Sequence, residues 1–369
     1  FFGIGIFGGA VVAVGFTTTK ELFPVQIAGT AIGLMNLFPF IGGALFQPLI
    51  GLILEHGGRV NNAFAVAGYR KVLELKPGLY EAELNLGVLL LGQKQHAGAI
   101  PLLEDAARQK PAEFRPVFFL AQAYFAAGDF AKAEPRYQEA LKLDPAAAPA
   151  VLGLARSRAR QGRLDEAAPD YARAAQLDAE LGQVQLELAS LYESAGNAER
   201  AMELYALFPG DLAAVERRAV LLVRARKPAE AAPLLEQLLA AEPGDAGLRL
   251  TYGRVLRDLK KYAAARSEFV RVIENNPDLT EAWGELAAVS VLLEDYPRAL
   301  AALDRLKALN AEVPGHVYLR AIILDKTRQQ EAALANYERF LALSNGKNAD
   351  EEFLARQRAR ILRKELDRR

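Results

Sequence analysis

Metal binding, acid–base catalysis and nucleophilic attack need particular side chains at particular spacings, and this 369-residue chain offers few of them. Its only histidines are His56, His96 and His316, far apart along the chain, so no HExxH helix and no short-range ligand pair exists. All three are expected to face solvent. The absence of cysteine removes disulfides, thiolate ligands and a cysteine nucleophile. There is no GxxxxGK[ST], GxSxG or dinucleotide fingerprint, and the glycine-rich start GIGIFGG lies in an uncharged apolar run rather than after a strand. The expectation is a protein that is not an enzyme and holds no cofactor or metal. What remains for recognition is arginine, whose planar fork matches a carboxylate, together with exposed aromatic rings.

The elements that would carry such residues differ sharply along the chain. Forty-five Lys/Arg balance 45 Asp/Glu, which leaves no chain-wide field for a polyanion, and no nucleic-acid partner is expected. Of these charges only Lys20, Glu21 and Glu55 precede His56. Phe1–Thr19 and Val25–Leu54 contain none, and about 20 apolar residues suffice to cross a bilayer as a helix. Residues 1–56 therefore read as a two-helix transmembrane hairpin turning at TTTKELFP, and membrane contact is expected through residues 1–54. Gly5 with Gly9 and Gly29 with Gly33 have the spacing that lets such helices approach closely. The start at Phe1, inside an apolar run and without a preceding basic segment, fits a fragment or processed product better than a signal peptide.

FTTTKELFPVQIAGTAIGLMNLFPFIGGALFQPLIGLIL, with its ELFP-x-x-x-AGTAxGLxN pattern, resembles two helices and the intervening cytoplasmic turn of a major facilitator superfamily transporter. The resemblance implies about twelve helices in a whole transporter, so two helices do not transport alone. It also implies a bacterial inner membrane, with the residues that follow on the exoplasmic side. Arg59, Arg70 and Lys71, which outnumber Lys20, point to the opposite side.

Beyond Asn62 a regular ruler appears. Alanine stands at 65, 99, 133, 167, 201, 231, 265, 299 and 333, evenly spaced but for one shorter step between Ala201 and Ala231. Small residues recur at Gly87, Ala121, Ala155, Ala189, Ala219, Gly253, Ala287 and Ala321, and bulky ones at Tyr69, Leu103, Tyr137, Tyr171, Tyr205, Leu235, Phe269, Leu303 and Tyr337. Short side chains let two helices of a hairpin touch, and bulky ones fill the space to the next hairpin. The unit FRPVFFLAQAYFAAGDFAKAEPRYQEALKLDPAA, residues 114–147, resembles the tetratricopeptide repeat. The expected fold class is therefore all-α, a helix-turn-helix solenoid wound as a right-handed superhelix after the membrane hairpin. Its parts are a junction at 57–62, a half repeat plus eight repeats over 63–347, and a charged capping helix over 348–369.

The resemblance implies a concave groove lined by the first helix of each unit. On this sequence the groove positions carry Arg115, Phe118, Gln122, Phe125, Arg156, Arg160, Arg224, Arg254 and Arg257, with Leu152 and Glu216 beside them. Arginines that hairpin packing does not need, next to exposed aromatics, suit an acidic or amphipathic segment of a protein partner. A chaperone-type carboxylate clamp is not expected, because its Lys and Asn positions carry Leu152 and Arg156. The leading expectation is a membrane-anchored interaction scaffold. Two alternatives stand beside it: an accessory part of a transporter whose other helices lie upstream, and an artificial fusion joined near GGRVNNA, residues 57–63.

Overall fold

The computed structural model describes residues 62–367. The expected membrane hairpin over 1–56 lies outside the described residues, as does all of the junction but Asn62. Among the described residues no helix is long and apolar enough to cross a membrane, and there is no strand. The chain divides into two compact units between Leu191 and Tyr192.

The first unit begins with α1 (Asn62–Leu75) and continues as helical hairpins: α2 (Tyr80–Gly92) with α3 (His96–Gln109), α4 (Phe114–Ala126) with α5 (Phe130–Leu143), and α6 (Ala148–Arg160) with α7 (Leu164–Leu177). A short 3-10 turn, Ala179–Leu181, leads to α8 (Val184–Ser194), within which the division falls. Ala65, Ala99, Ala133 and Ala167 are each at most 1% exposed, and Tyr69, Leu103, Tyr137 and Tyr171 at most 3%. The alanine ruler is thus a packing constraint: each alanine sits where two helices of a hairpin meet, and each bulky residue plugs the adjoining gap.

The second unit holds α9 (Ala198–Tyr205), then α10 (Leu212–Arg224) with α11 (Pro228–Ala241), α12 (Ala246–Asp258) with α13 (Tyr262–Asn275), α14 (Thr280–Leu292) with α15 (Tyr296–Ala308), and α16 (Pro314–Lys326) with α17 (Gln330–Ser344). Helix α18 (Ala349–Leu366) closes it. Helix α9 is shorter than every other α-helix described, and this shortening is the short step in the alanine ruler. Carboxylate or amide caps start several helices: Asp245 accepts the Leu248 N–H at 2.9 Å, and Asn197 and Asp211 act likewise.

Every hairpin turns through one left-handed residue at the same point of its unit. Gly128, Gly162 and Gly196 take it at φ near 80°, whereas Lys94, Arg226, Lys260, Glu294 and Arg328 take it at φ of 54–60°. Glycine adopts this conformation at no steric cost, and the other five are held there by the helices on either side.

Candidate functional site

In the first unit, the inner-face side chains of the first helices are more engaged than expected. Arg115 is exposed at the start of α4. Phe118, expected to be exposed, is half-buried: it stacks on Phe114 at 5.1 Å and meets the edge of Tyr137 at 6.2 Å. Phe125 is likewise half-buried against Phe130 at 5.2 Å, and Gln122 is half-buried in the same helix. Arg156, expected to be free of packing duty, is not. Its guanidinium forks onto Glu187 of α8, with Nε 3.1 Å from both carboxylate oxygens and Nη2 2.6 Å from one. The hydrogen bonds to Glu187 raise the Arg156 pKa further above its ordinary value. Leu152 is buried in α6, and Arg160 is exposed with no ion pair among the described residues.

In the second unit the same correction applies to Arg254 and Arg257. Arg254 Nε bonds Glu285 at 2.7 Å and Nη2 bonds Glu281 at 2.9 Å, while Arg257 pairs with both Glu285 and Asp258. Arg156 and these two arginines hold neighbouring first helices together. An acidic ligand would have to displace a carboxylate that is already bonded, which removes the reason to expect an acidic partner at those positions. Arg224 and Glu216 are exposed and have no ion pair among the described residues.

Glu216 and Arg224 sit on the wall of a cleft of about 630 Å³ between α10, α11 and α12. Helices α10 and α12 each pack on α11, and the cleft opens where the three helices meet. Its wall is apolar: Leu212 is 42% and Val220 37% exposed, with Val223, Leu235, Leu238 and Leu248 behind them. Because α11 runs back antiparallel to α10, its end and the start of α12 lie at the Leu212 end of the cleft. Glu216, Glu242 and Asp245 therefore gather at that end and Arg224 stands at the other. Glu242 also caps the C-terminus of α11, where the helix dipole adds to its negative charge.

A second cleft, of about 560 Å³, lies between α12, α14 and α16 and holds the Arg254, Arg257, Glu281 and Glu285 cluster, whose charges already satisfy one another. His316 lines it too. Rather than facing solvent, His316 is half-buried, and its Nδ1 accepts the Val313 N–H at 3.3 Å. His96, the first residue of α3, is half-buried as well, and His56 lies outside the described residues. Among the described residues no group of three His, Cys, Asp or Glu side chains is placed to hold a metal ion.

Two family models of the tetratricopeptide repeat match this chain, one over residues 120–181 and one over 90–136 and again over 222–283. Tetratricopeptide repeats thus occupy stretches of both units, and the all-α repeat architecture follows. No curated protein matches the chain significantly in sequence. Among solved structures, MamA is similar at 20% identity over 46% of this chain and 92% of its own, with a TM-score of 0.37. A tetratricopeptide repeat protein from Parabacteroides merdae is similar at 18% identity over 68% of this chain and 98% of its own, with a TM-score of 0.34. YrrB, a repeat protein with an unusual peptide-binding site, is similar at 19% identity over 56% of this chain and 91% of its own, with a TM-score of 0.26. These likenesses concern the fold alone.

Proposed function

We propose that this chain is a membrane-anchored interaction scaffold that holds a helical segment of a protein partner in the cleft between α10 and α12. The observation that carries the binding function is the cleft itself: an apolar wall with exposed Leu212 and Val220, framed by charges that have no ion pair among the described residues. Three carboxylates against one arginine select a segment whose apolar side chains are accompanied by basic ones. The uncharged runs Phe1–Thr19 and Val25–Leu54 supply the anchor, and the transporter-like turn between them supports an exoplasmic position of the repeats at a bacterial inner membrane.

Binding is tested by fluorescence anisotropy of two short labelled amphipathic peptides, one of Leu and Lys and one of Leu and Glu, added to the full chain in non-ionic detergent. The Leu/Lys peptide should bind at least about tenfold more tightly, and Glu216→Lys with Glu242→Lys should invert the preference. Equal binding of the two peptides, or no effect of the substitutions, would refute the cleft as the site. Anchoring is tested separately. The full chain should resist carbonate extraction from membranes while a chain cut after His56 is released, and protease access to the repeats in sealed inverted vesicles would reverse the orientation.

A further inference from the structure

The geometry points to a specific occupant of this cleft: helix α18 of a second copy of the same chain, lying antiparallel to α10. This inference rests on the cleft's being a helix-binding site and adds the identity of the helix.

Helix α18 has two faces. Ala355, Ala359 and Leu362 are buried against the unit, and Arg358 and Arg363 are bonded back to Asp325 and Glu338. The opposite face is left open. Phe353 is 60%, Leu354 55% and Ile361 45% exposed, and Arg360 and Lys364, on the same stripe, have no ion pair among the described residues. An apolar stripe of this kind on a terminal helix is a docking surface without a cover.

Its length and its charge order match the cleft. From Phe353 to Lys364 the stripe rises about 17 Å, and from Leu212 to Arg224 the α10 wall rises about 18 Å. The cleft is acidic where α10 begins, at Glu216, Glu242 and Asp245, and basic where α10 ends, at Arg224. The open stripe of α18 is acidic where it begins, at Asp350, and basic toward its end, at Arg360 and Lys364. Antiparallel docking pairs both ends at once, whereas parallel docking opposes like charges at both. Cleft and stripe are different surfaces of one chain, so the contact is either made twice about a twofold axis in a dimer or repeated from copy to copy in a ring or filament.

The test exploits this asymmetry. Two variants of the full chain are prepared in non-ionic detergent: Glu216→Lys with Glu242→Lys, which reverses the cleft, and Arg360→Glu with Lys364→Glu, which reverses the stripe. All four residues are exposed and have no ion pair among the described residues, so both variants should keep wild-type circular dichroism. In sedimentation velocity the wild type should self-associate, more tightly at low salt, and each variant alone should lose about tenfold or more of that affinity. Mixed together, the two variants should associate again, because each now complements the other. A monomeric wild type, variants that associate as the wild type does, or a mixture no more associated than its components would each overturn the inference. A wild type that stays monomeric yet binds the Leu/Lys peptide would overturn the second copy and leave the cleft reading intact; loss of both would remove the site altogether.

Discussion

Arg156 and Glu187 lie 31 residues apart and are joined by a forked guanidinium–carboxylate pair whose acceptor also takes the Tyr171 hydroxyl at 2.9 Å. Arg254 and Glu285, in the second unit, repeat the separation of 31 residues and the contact at 2.7 Å. In both cases an arginine of one first helix reaches a carboxylate in the first helix of the next repeat, and the pair ties the two helices.

Charge reversal at Arg156 should therefore matter to folding and not only to binding. Arg156→Glu is expected to lower stability by about 1 kcal/mol, since both partners are partly solvated and the lost pair is worth little beyond the new repulsion. Adding Glu187→Arg should recover most of the loss. Arg160→Glu, at an exposed site without an ion pair among the described residues, should stay within about 0.5 kcal/mol of the wild type. Urea denaturation midpoints decide it: equal midpoints for Arg156→Glu and Arg160→Glu would show that the forked pair contributes nothing.

A glycine in α6 is required by a neighbour's ring. A Cβ on Gly153 would lie 2.3 Å from Tyr137, which is buried and held at its edge by Phe118, so the ring has nowhere to go. Gly153→Ala should cost about 1–3 kcal/mol in spite of alanine's better helix propensity. Gly98→Ala in α3, whose nearest neighbour would be Leu90 at 3.4 Å, should be neutral or gain up to about 1 kcal/mol. A thermal midpoint for Gly153→Ala at or above the wild type would mean that Tyr137 is not fixed as described.

Ala133, Tyr137 and their counterparts are legible in the sequence because hairpin packing makes the same demand in every unit and so writes a period. The arginine pairs are written there too, as Arg156 with Glu187 and Arg254 with Glu285, but they occur in some units only and a search for identical positions passes over them. Phe118 reads as free because a groove position in one helix can be filled by the bulky residue of the next, here Tyr137. The cleft leaves no local signal, since it is built by residues of three helices, α10, α11 and α12, rather than by a motif within one of them.

His316 should give the fold a pH dependence. Burial pulls its pKa below the ordinary value, and the opposing influence of Glu312 and the Ala311 backbone is smaller. The folded state thus takes up the proton less readily than the unfolded chain. Stability is unaffected above the unfolded value near 6.5, falls as pH drops below it, and levels off once pH is below the folded value. His316→Gln should remove this component, so that the difference between wild type and variant changes as pH falls through about 6.5 and below. Parallel stability profiles for the two proteins would rule the contribution out.

The anchor of α18 provides the sharpest energetic contrast. Arg358 Nε and Nη2 lie 2.6 and 2.8 Å from the two oxygens of Asp325, whose side chain is only 13% exposed and which the Tyr337 hydroxyl also approaches at 3.3 Å. Removing the arginine leaves a nearly buried carboxylate with no cation, and such orphaning costs more than the pair itself contributes. Arg358→Ala should destabilise by about 1–3 kcal/mol and speed amide exchange along α18 before the rest of the unit. Arg363→Ala removes a pair to Glu338 that is solvated on both sides and should cost at most about 0.5 kcal/mol. Denaturation midpoints with site-resolved hydrogen exchange compare the two directly; an Arg358→Ala variant as silent as Arg363→Ala would mean that the Arg358–Asp325 pair does not hold α18.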